Sequence, residues 1–252
     1  MNILWDADKY KQNFSFVHQY GSGVMELIDF AQAKTAIDLG CGNGALTAAL
    51  KDKGLSVTGL DASPEQLLIA RQMYPEISFI QADATDFCLA EPVDLVFSNA
   101  VFHWIDRDRQ SHMLQCVAHA LRPGGQFVFE MGGAGCVTKI HSALKESFAY
   151  FGYSYEIPNY FPGIGDYAPM VEQAGMRVKT ALLFDRFTEL KGPDGMYDWI
   201  EMFVKRPFAE IEDGTVREKI KRQAVAALRP DLFINGKWYA DYVRLRMKAV
   251  KL

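Results

Sequence analysis

What these 252 residues lack narrows the possibilities first. Cysteine is scarce: Cys41, Cys88, Cys116 and Cys136 form no CxxC pair. Neither a zinc site nor a disulfide scaffold is expected, and free thiols suit a reducing, cytoplasmic compartment. No HExxH motif and no acidic metal cluster occurs, so no metal is expected. No apolar run approaches the about 18 residues of a membrane span. The opening MNILWDADKYKQNF carries charges where a secretory leader would have its apolar region. The first half also lacks a basic run. With Lys+Arg 27, Asp+Glu 31 and net charge −4, overall charge argues weakly against a nucleic acid partner, and no such partner is expected, although residues 205 to 222 are moderately rich in Lys and Arg. What remains is a globular chain, 49% hydrophobic, long enough for one core plus a lid. A small-molecule partner and a monomer or homodimer are expected.

The stretch TAIDLGCGNGALTAAL, residues 35 to 50, organises the rest. An apolar run ends at Asp38, small residues follow, and a helical apolar pattern starts near Ala45. Gly40, Gly42 and Gly44 allow a sharp turn and close approach of a ligand to the backbone. The helix after them points free N–H groups into the turn. Asp38 is a poor neighbour for a pyrophosphate and a good one for an ammonium or hydroxyl donor. A glycine turn in some other α/β protein is the competing reading.

Leu55 to Leu60 reads as a second strand that ends at Asp61, about 20 residues beyond Gly40, the spacing at which a carboxylate meets the ribose hydroxyls of an adenosine. Asp61, Ser63 and Pro64 also make a good helix start. A third strand leads to Asp83 and Ala84. That carboxylate can accept from the adenine amine beside a small residue, or simply cap a loop. A fourth strand, Val93 to Ser98, ends in SNAVFHW, which places Asn99, Ala100, His103 and Trp104 at the crevice. His103 suits a general base, a polar wall that orients substrate, or a structural hydrogen bond.

Farther on, Asp106 to Leu121 reads as a helix, and Pro123, Gly124 and Gly125 as a turn before a fifth strand, Gln126 to Met131. Residues 136 to 151 read as a helix, and an aromatic segment follows, with Tyr153, Tyr155, Tyr160, Phe161 and Tyr167, a candidate pocket wall. Met176 to Phe184 should be the sixth strand, and residues 195 to 208 and 212 to 228 two helices. The seventh is ADYVRLRMKAVK, where Tyr242, Arg244, Arg246 and Lys248 alternate with apolar residues. Its arginine heads are expected to be exposed on a solvated or helix-covered face, their stems packed.

The glycine turn, GLDAS at 59 to 63, ADA at 82 to 84, FSNAVFHW at 97 to 104 and LRPGGQF at 121 to 127 together resemble the class I S-adenosylmethionine-dependent methyltransferases, in their trans-aconitate 2-methyltransferase-like small-molecule branch. ARQMYP at 70 to 75, ADYVRLR at 240 to 246 and the segment Trp5 to Tyr10 extend the likeness over almost the whole chain. The resemblance implies an α/β, Rossmann-like sheet of seven mostly parallel strands, the last antiparallel, with helices on both faces and a helical, aromatic lid. It implies a single domain, with an N-terminal arm over 1 to 30 and lid insertions at 133 to 175 and 187 to 235. S-adenosylmethionine, leaving as S-adenosylhomocysteine, would be held by Asp38, Gly40, Cys41, Gly42, Asn43, Asp61, Ala62, Gln66, Asp83, Ala84, Asn99 and Ala100. His103, Trp104 and Tyr10 would stand at the reacting end.

The implied reaction is in-line transfer of a methyl group to a small molecule, a carboxylate among the candidates. A carboxylate needs no base at neutral pH, whereas a phenol or carbon nucleophile would need proton removal. Lys139 and His141 sit among tyrosines and phenylalanines, and Arg186, Lys205 and Arg206 are further candidate cations that sequence does not place. A partly apolar acceptor is therefore expected at least as readily as a polycarboxylate. A cyclopropane-forming or other C-alkylating enzyme on a lipid, and a non-catalytic cofactor-binding protein, are the alternatives; fold does not separate them.

Overall fold

The computed structural model describes residues 23–252. Trp5 and Tyr10 lie outside them. The strands are β1 (Thr35–Leu39), β2 (Ser56–Asp61), β3 (Ser78–Gln81), β4 (Val93–Asn99), β5 (Leu121–Gly132), β6 (Met176–Leu190), β7 (Phe233–Ile234) and β8 (Lys237–Lys251). They form one sheet in the order β3-β2-β1-β4-β5-β8-β6, with β7 paired to β8. β1 to β5 pair in parallel, while β8 runs antiparallel between β5 and β6. The expected fold class holds.

The helices are α1 (Ala45–Asp52), α2 (Pro64–Met73), α3 (Gln110–Ala120), α4 (Thr138–Tyr150), α5 (Ile164–Gln173), α6 (Gly195–Phe203), the single turn α7 (Lys205–Phe208) and α8 (Gly214–Leu232). Side-chain alternation sorts the sheet into two layers. On β4, Leu95 and Phe97 join one buried cluster with Leu50 and Leu55, while Val96 joins another with Phe127, Phe129 and α3. A third cluster lies away from the glycine turn, where α4, α6 and α8 pack with Trp238, Ala240 and Tyr242 of β8.

Three expectations change in detail. The proline–glycine turn falls inside β5: Val93 pairs with Leu121, and pairing resumes only at Leu95 with Gln126, leaving a bulge with Gly124 at φ 78°. β6 runs on to Leu190 because β8 pairs with it throughout, from Met176↔Lys251 to Leu190↔Trp238. The eighth strand, β7, comes from a tight hairpin at Asn235 and Gly236, both at positive φ. Asn-Gly, a strong hairpin signal, makes this turn.

The expected exposed arginine heads on β8 are a larger correction. Arg244 is only 7% exposed. Arg246 donates to Glu130 Oε2 through Nε at 2.9 Å and Nη2 at 2.7 Å. Arg186 on β6 meets the same carboxylate at 2.6 and 2.9 Å. Period-two spacing placed the β8 side chains on one face but could not reveal that Glu130, buried on β5, neutralises Arg246 together with Arg186 of β6.

Candidate functional site

The sheet order reverses between β1 and β4, and there the carboxyl ends of neighbouring strands splay apart into a ligand crevice. A cavity of about 230 Å³, partly open to solvent, occupies that place. It is lined by every residue assigned above to cofactor and chemistry except Tyr10: the glycine turn, Asp38, Asp61, Ala62, Gln66, Asp83, Ala84, Asn99, Ala100, His103 and Trp104.

The turn between β1 and α1 is tied down from β2, for Gly40 and Cys41 both donate their N–H to Leu60 O, at 2.7 and 3.0 Å. Gly40 has φ 78°, and a Cβ there would come within 2.2 Å of a Val101 methyl, so only glycine fits. Asp61 Oδ2 accepts from Gly42 N and its Oδ1 from Ser63 N, each at 2.8 Å. The helix-start reading of this residue is therefore present in the structure. It does not exhaust the carboxylate, since each oxygen carries two lone pairs. Burial raises the Asp61 pKa and these N–H donors oppose it.

Asp38, 1% exposed, accepts from the Thr47 hydroxyl of α1 at 2.7 Å. Burial pushes its pKa up to about 7, opposed by Thr47 and aided by the Asp61 charge. Asp83 accepts from both the N–H and the hydroxyl of Thr85 at 2.8 Å, and Arg109 lies 3.4 Å from its other oxygen. Burial would raise this carboxyl, but the Thr85 donors and the Arg109 charge prevail and hold it below the usual range. Ala100 sits at φ 62°, rare for a residue with a side chain, and its N–H donates to Glu130 O at 2.8 Å.

The far wall is aromatic and carries the unexpected cation. His103, 7% exposed, stands in a single helical turn, and its Nδ1 accepts from Gly132 N at 3.2 Å. That bond leaves Nε2 as the protonated nitrogen. Burial, reinforced by the Arg244 charge, lowers the His103 pKa to about 3. Phe161 stacks on His103 at 5.8 Å, and Trp104 on Phe203 at 6.1 Å. Trp199 Nε1 donates to the Tyr242 hydroxyl at 2.6 Å, and the Arg244 guanidinium lies 4.2 Å from the Tyr242 ring centre.

The tyrosine-rich segment contributes less to this wall than expected. Among its aromatics only Phe161 lines the cavity. Tyr167 is core, its hydroxyl donating to Gln110 Oε1 at 2.7 Å, and Tyr155 meets His141 Nδ1 at 2.6 Å. None of the candidate cations Lys139, His141, Arg186, Lys205 and Arg206 lines it either. Lys139 pairs with Asp231 at 3.7 Å and Arg206 with Asp106 at 3.3 Å, both at the surface. Trp199, Phe203, Tyr242, Arg244, Arg109, Cys136 and Asn159 also line it. They come from α6, β8 and loops far apart in sequence; the Tyr-x-Arg alternation on β8 was the one signal available.

Comparison with known proteins agrees with this geometry. A family profile described as a methyltransferase domain matches residues 36–125. The uncharacterised methyltransferase C70.08c of Schizosaccharomyces pombe is 31% identical over 98% of each chain. Trans-aconitate 2-methyltransferase of Azoarcus sp. is 35% identical over 50% of each, so this match spans about half of that enzyme. The YcgJ protein of Bacillus subtilis shares the fold alone, with TM-score 0.63 at 13% identity over 93% of this chain and 98% of that one. On the strength of the full-length relative and of the motif turn built at the switch point, the chain belongs to the S-adenosylmethionine-dependent methyltransferases.

Proposed function

We propose that the cavity binds S-adenosylmethionine along its glycine-turn side and a small acceptor against its aromatic wall, and that the methyl group passes between them in line. The observation that carries this reading is continuity: the acidic strand ends Asp38, Asp61 and Asp83 share one cavity with His103, Trp104, Trp199 and Arg244. The residues at the glycine turn suit the cofactor, because Asp61 keeps lone pairs for ribose hydroxyls. In this reading Asp38 meets an ammonium, and Asp83 with Ala84 an adenine edge. When bound, the cofactor supplies a methyl group already activated on a sulfonium. The chain's share is then to align the nucleophile and exclude water, which can remove up to ~7 kcal/mol from a barrier. The third cluster, around α4, α6 and α8, supplies Trp199 and Phe203 and acts as the lid. One relative is named a trans-aconitate 2-methyltransferase, so trans-aconitate belongs in a first substrate screen. Calorimetric titration with S-adenosylhomocysteine, followed by a screen for its formation from S-adenosylmethionine, tests the reading; failure to bind would overturn it.

His103 has the wrong pKa for a base. At about 3, its conjugate acid is far too strong to hold a proton taken from a phenol. Its role in this reading is to present Nε2–H to the acceptor. Replacing it with alanine should lower kcat/KM by about 10- to 100-fold, the worth of one hydrogen bond to a charged group. The pH–rate profile between about pH 5 and 9 should keep its shape, because His103 stays neutral there. Loss of an ionisation near the ordinary histidine value would contradict this.

Cofactor affinity should depend on pH through Asp38. Below its folded pKa of about 7 the carboxyl carries a proton, which must leave before it can pair with an ammonium. Proton release therefore accompanies binding, and affinity should weaken by about tenfold per pH unit as the pH falls from about 7 to 5. Asp38→Asn should flatten that slope. A wild-type Kd unchanged across the window would exclude Asp38 from the ammonium contact.

A further inference from the structure

We propose that the outer edge of β6 pairs with the same edge of a second copy of this chain, across a two-fold axis at Leu182. β6 closes one end of the sheet, and among the described residues no strand covers its outer side. It pairs with β8 along its whole length, from Met176 to Leu190, so a long row of backbone groups faces away from the sheet. The opposite edge, β3, has only four residues. Short edges resist pairing with another chain, whereas a long one is a template for it. Strand alternation identifies the outward groups. Val243 O of β8 accepts from Gly133 N, so Val243 turns its backbone towards β5 and its even-numbered neighbours turn theirs towards β6. Leu182, Phe184 and Arg186, opposite Arg246, Arg244 and Tyr242, are therefore the residues bonded to β8. The N–H and C=O groups of Ala181, Leu183 and Asp185 point out of the edge.

The side chains along this edge are complementary to themselves. Leu182 is 44% exposed, Leu183 41% and Phe187 51%, which puts apolar surface on both faces of the strand. An antiparallel pairing about Leu182 sets that residue against its counterpart, Ala181 against Leu183, and Thr180 against Phe184. Ala181 and Leu183 then exchange their outward hydrogen bonds, and Leu182 takes the non-bonded position where facing side chains come closest. The same axis sets Lys179 opposite Asp185 twice. Both are exposed, and among the described residues neither has an ion-pair partner. Arg186 does not compete for Asp185, because Glu130 holds it.

Other registers lose this match. An axis at Leu183 would set Asp185 against Ala181 and Lys179 against Phe187, with both charges left unpaired. Lys179 stands at the bulge between Val178 and Thr180, which ends the regular ladder and fixes how far the pairing can run. One strand pair is a small interface, at the low end of specific ones, so association in the micromolar range is expected. No residue of β6 lines the cavity, so each copy keeps its site and the pairing is independent of methyl transfer.

Sedimentation velocity of the full chain between about 1 and 100 μM should show a monomer–dimer equilibrium. Lys179→Glu or Asp185→Lys alone sets like charges against each other twice, and each should weaken the dimer by at least about tenfold. The two together restore opposite charges and should recover most of the lost affinity. Leu182→Lys brings two ammonium groups together on the axis and should leave the protein monomeric throughout. Amide exchange at Ala181, Leu183 and Asp185 should slow as protein concentration rises, while Leu182 and Phe184 stay protected at every concentration. All four side-chain changes lie at exposed positions, so each variant should melt with the dilute unaltered protein. The proposal is overturned if the unaltered protein is monomeric across the range, or if its dimer survives Leu182→Lys. It is equally overturned if the paired charge exchange fails to recover what either single exchange lost. A dilute monomer with the three outward amides already protected would place another segment of this chain on the edge, and overturns it as well.

Discussion

Glu130→Ala is expected to destabilise the protein by about 3–5 kcal/mol, the cost of removing one partner from a buried ion pair. Glu130 is 2% exposed and receives Arg186 at 2.6 Å and Arg246 at 2.7 Å, each guanidinium itself largely buried. Deleting the carboxylate would leave both without the charge they share across β5, β8 and β6. Arg246 also donates to Gly23 O at 2.7 Å, so the loss would reach the segment before β1. Glu130→Gln keeps two polar atoms but no charge and should fall between. Urea unfolding with a common m-value measures the difference. A loss below about 1 kcal/mol would show that the network is dispensable, as some buried ion pairs are when their surroundings relax.

Asp61→Ala is expected to weaken S-adenosylhomocysteine binding by about two to three orders of magnitude. Two ribose hydroxyls donating to one carboxylate are together worth roughly 3–4 kcal/mol, at about 1.5–3 for each bond to a charged group, taken near the lower end. Asp61 also holds Gly42 N and Ser63 N, so part of any loss could come from a loosened turn. A double-mutant cycle separates the two, with S-adenosylhomocysteine and its 2′-deoxy analogue as the ligand half. The variant should discriminate little between the two ligands, and the unaltered protein strongly. Equal discrimination by both would place the ribose elsewhere.

Much of the glycine-turn side of the cavity was legible in the sequence, for a physical reason. Each contributing residue sits within a short stretch of a strand end, and local chemistry constrains it: glycine where φ is positive, an acid where a parallel strand stops, Ser63 and Pro64 where α2 starts. Such signals survive in one dimension because the geometry they serve is local. Even the bulge inside β5 was announced by its proline and glycines, although not as part of the strand.

The acceptor side was not legible in this way. The expectation of a tyrosine-built wall failed because an aromatic ring serves a core as well as a pocket, and only packing decides; Tyr167 went to the core and Phe161 to the cavity. The β8 arginines were read as exposed because alternation reports which face a side chain takes, not what covers that face. By itself the sequence determined the fold class, the family and the position of the glycine turn at the cavity. Tertiary structure alone decided that Glu130 neutralises Arg186 and Arg246 while Arg244 is left facing the cavity, because charge compensation depends on strands brought together from β5, β6 and β8.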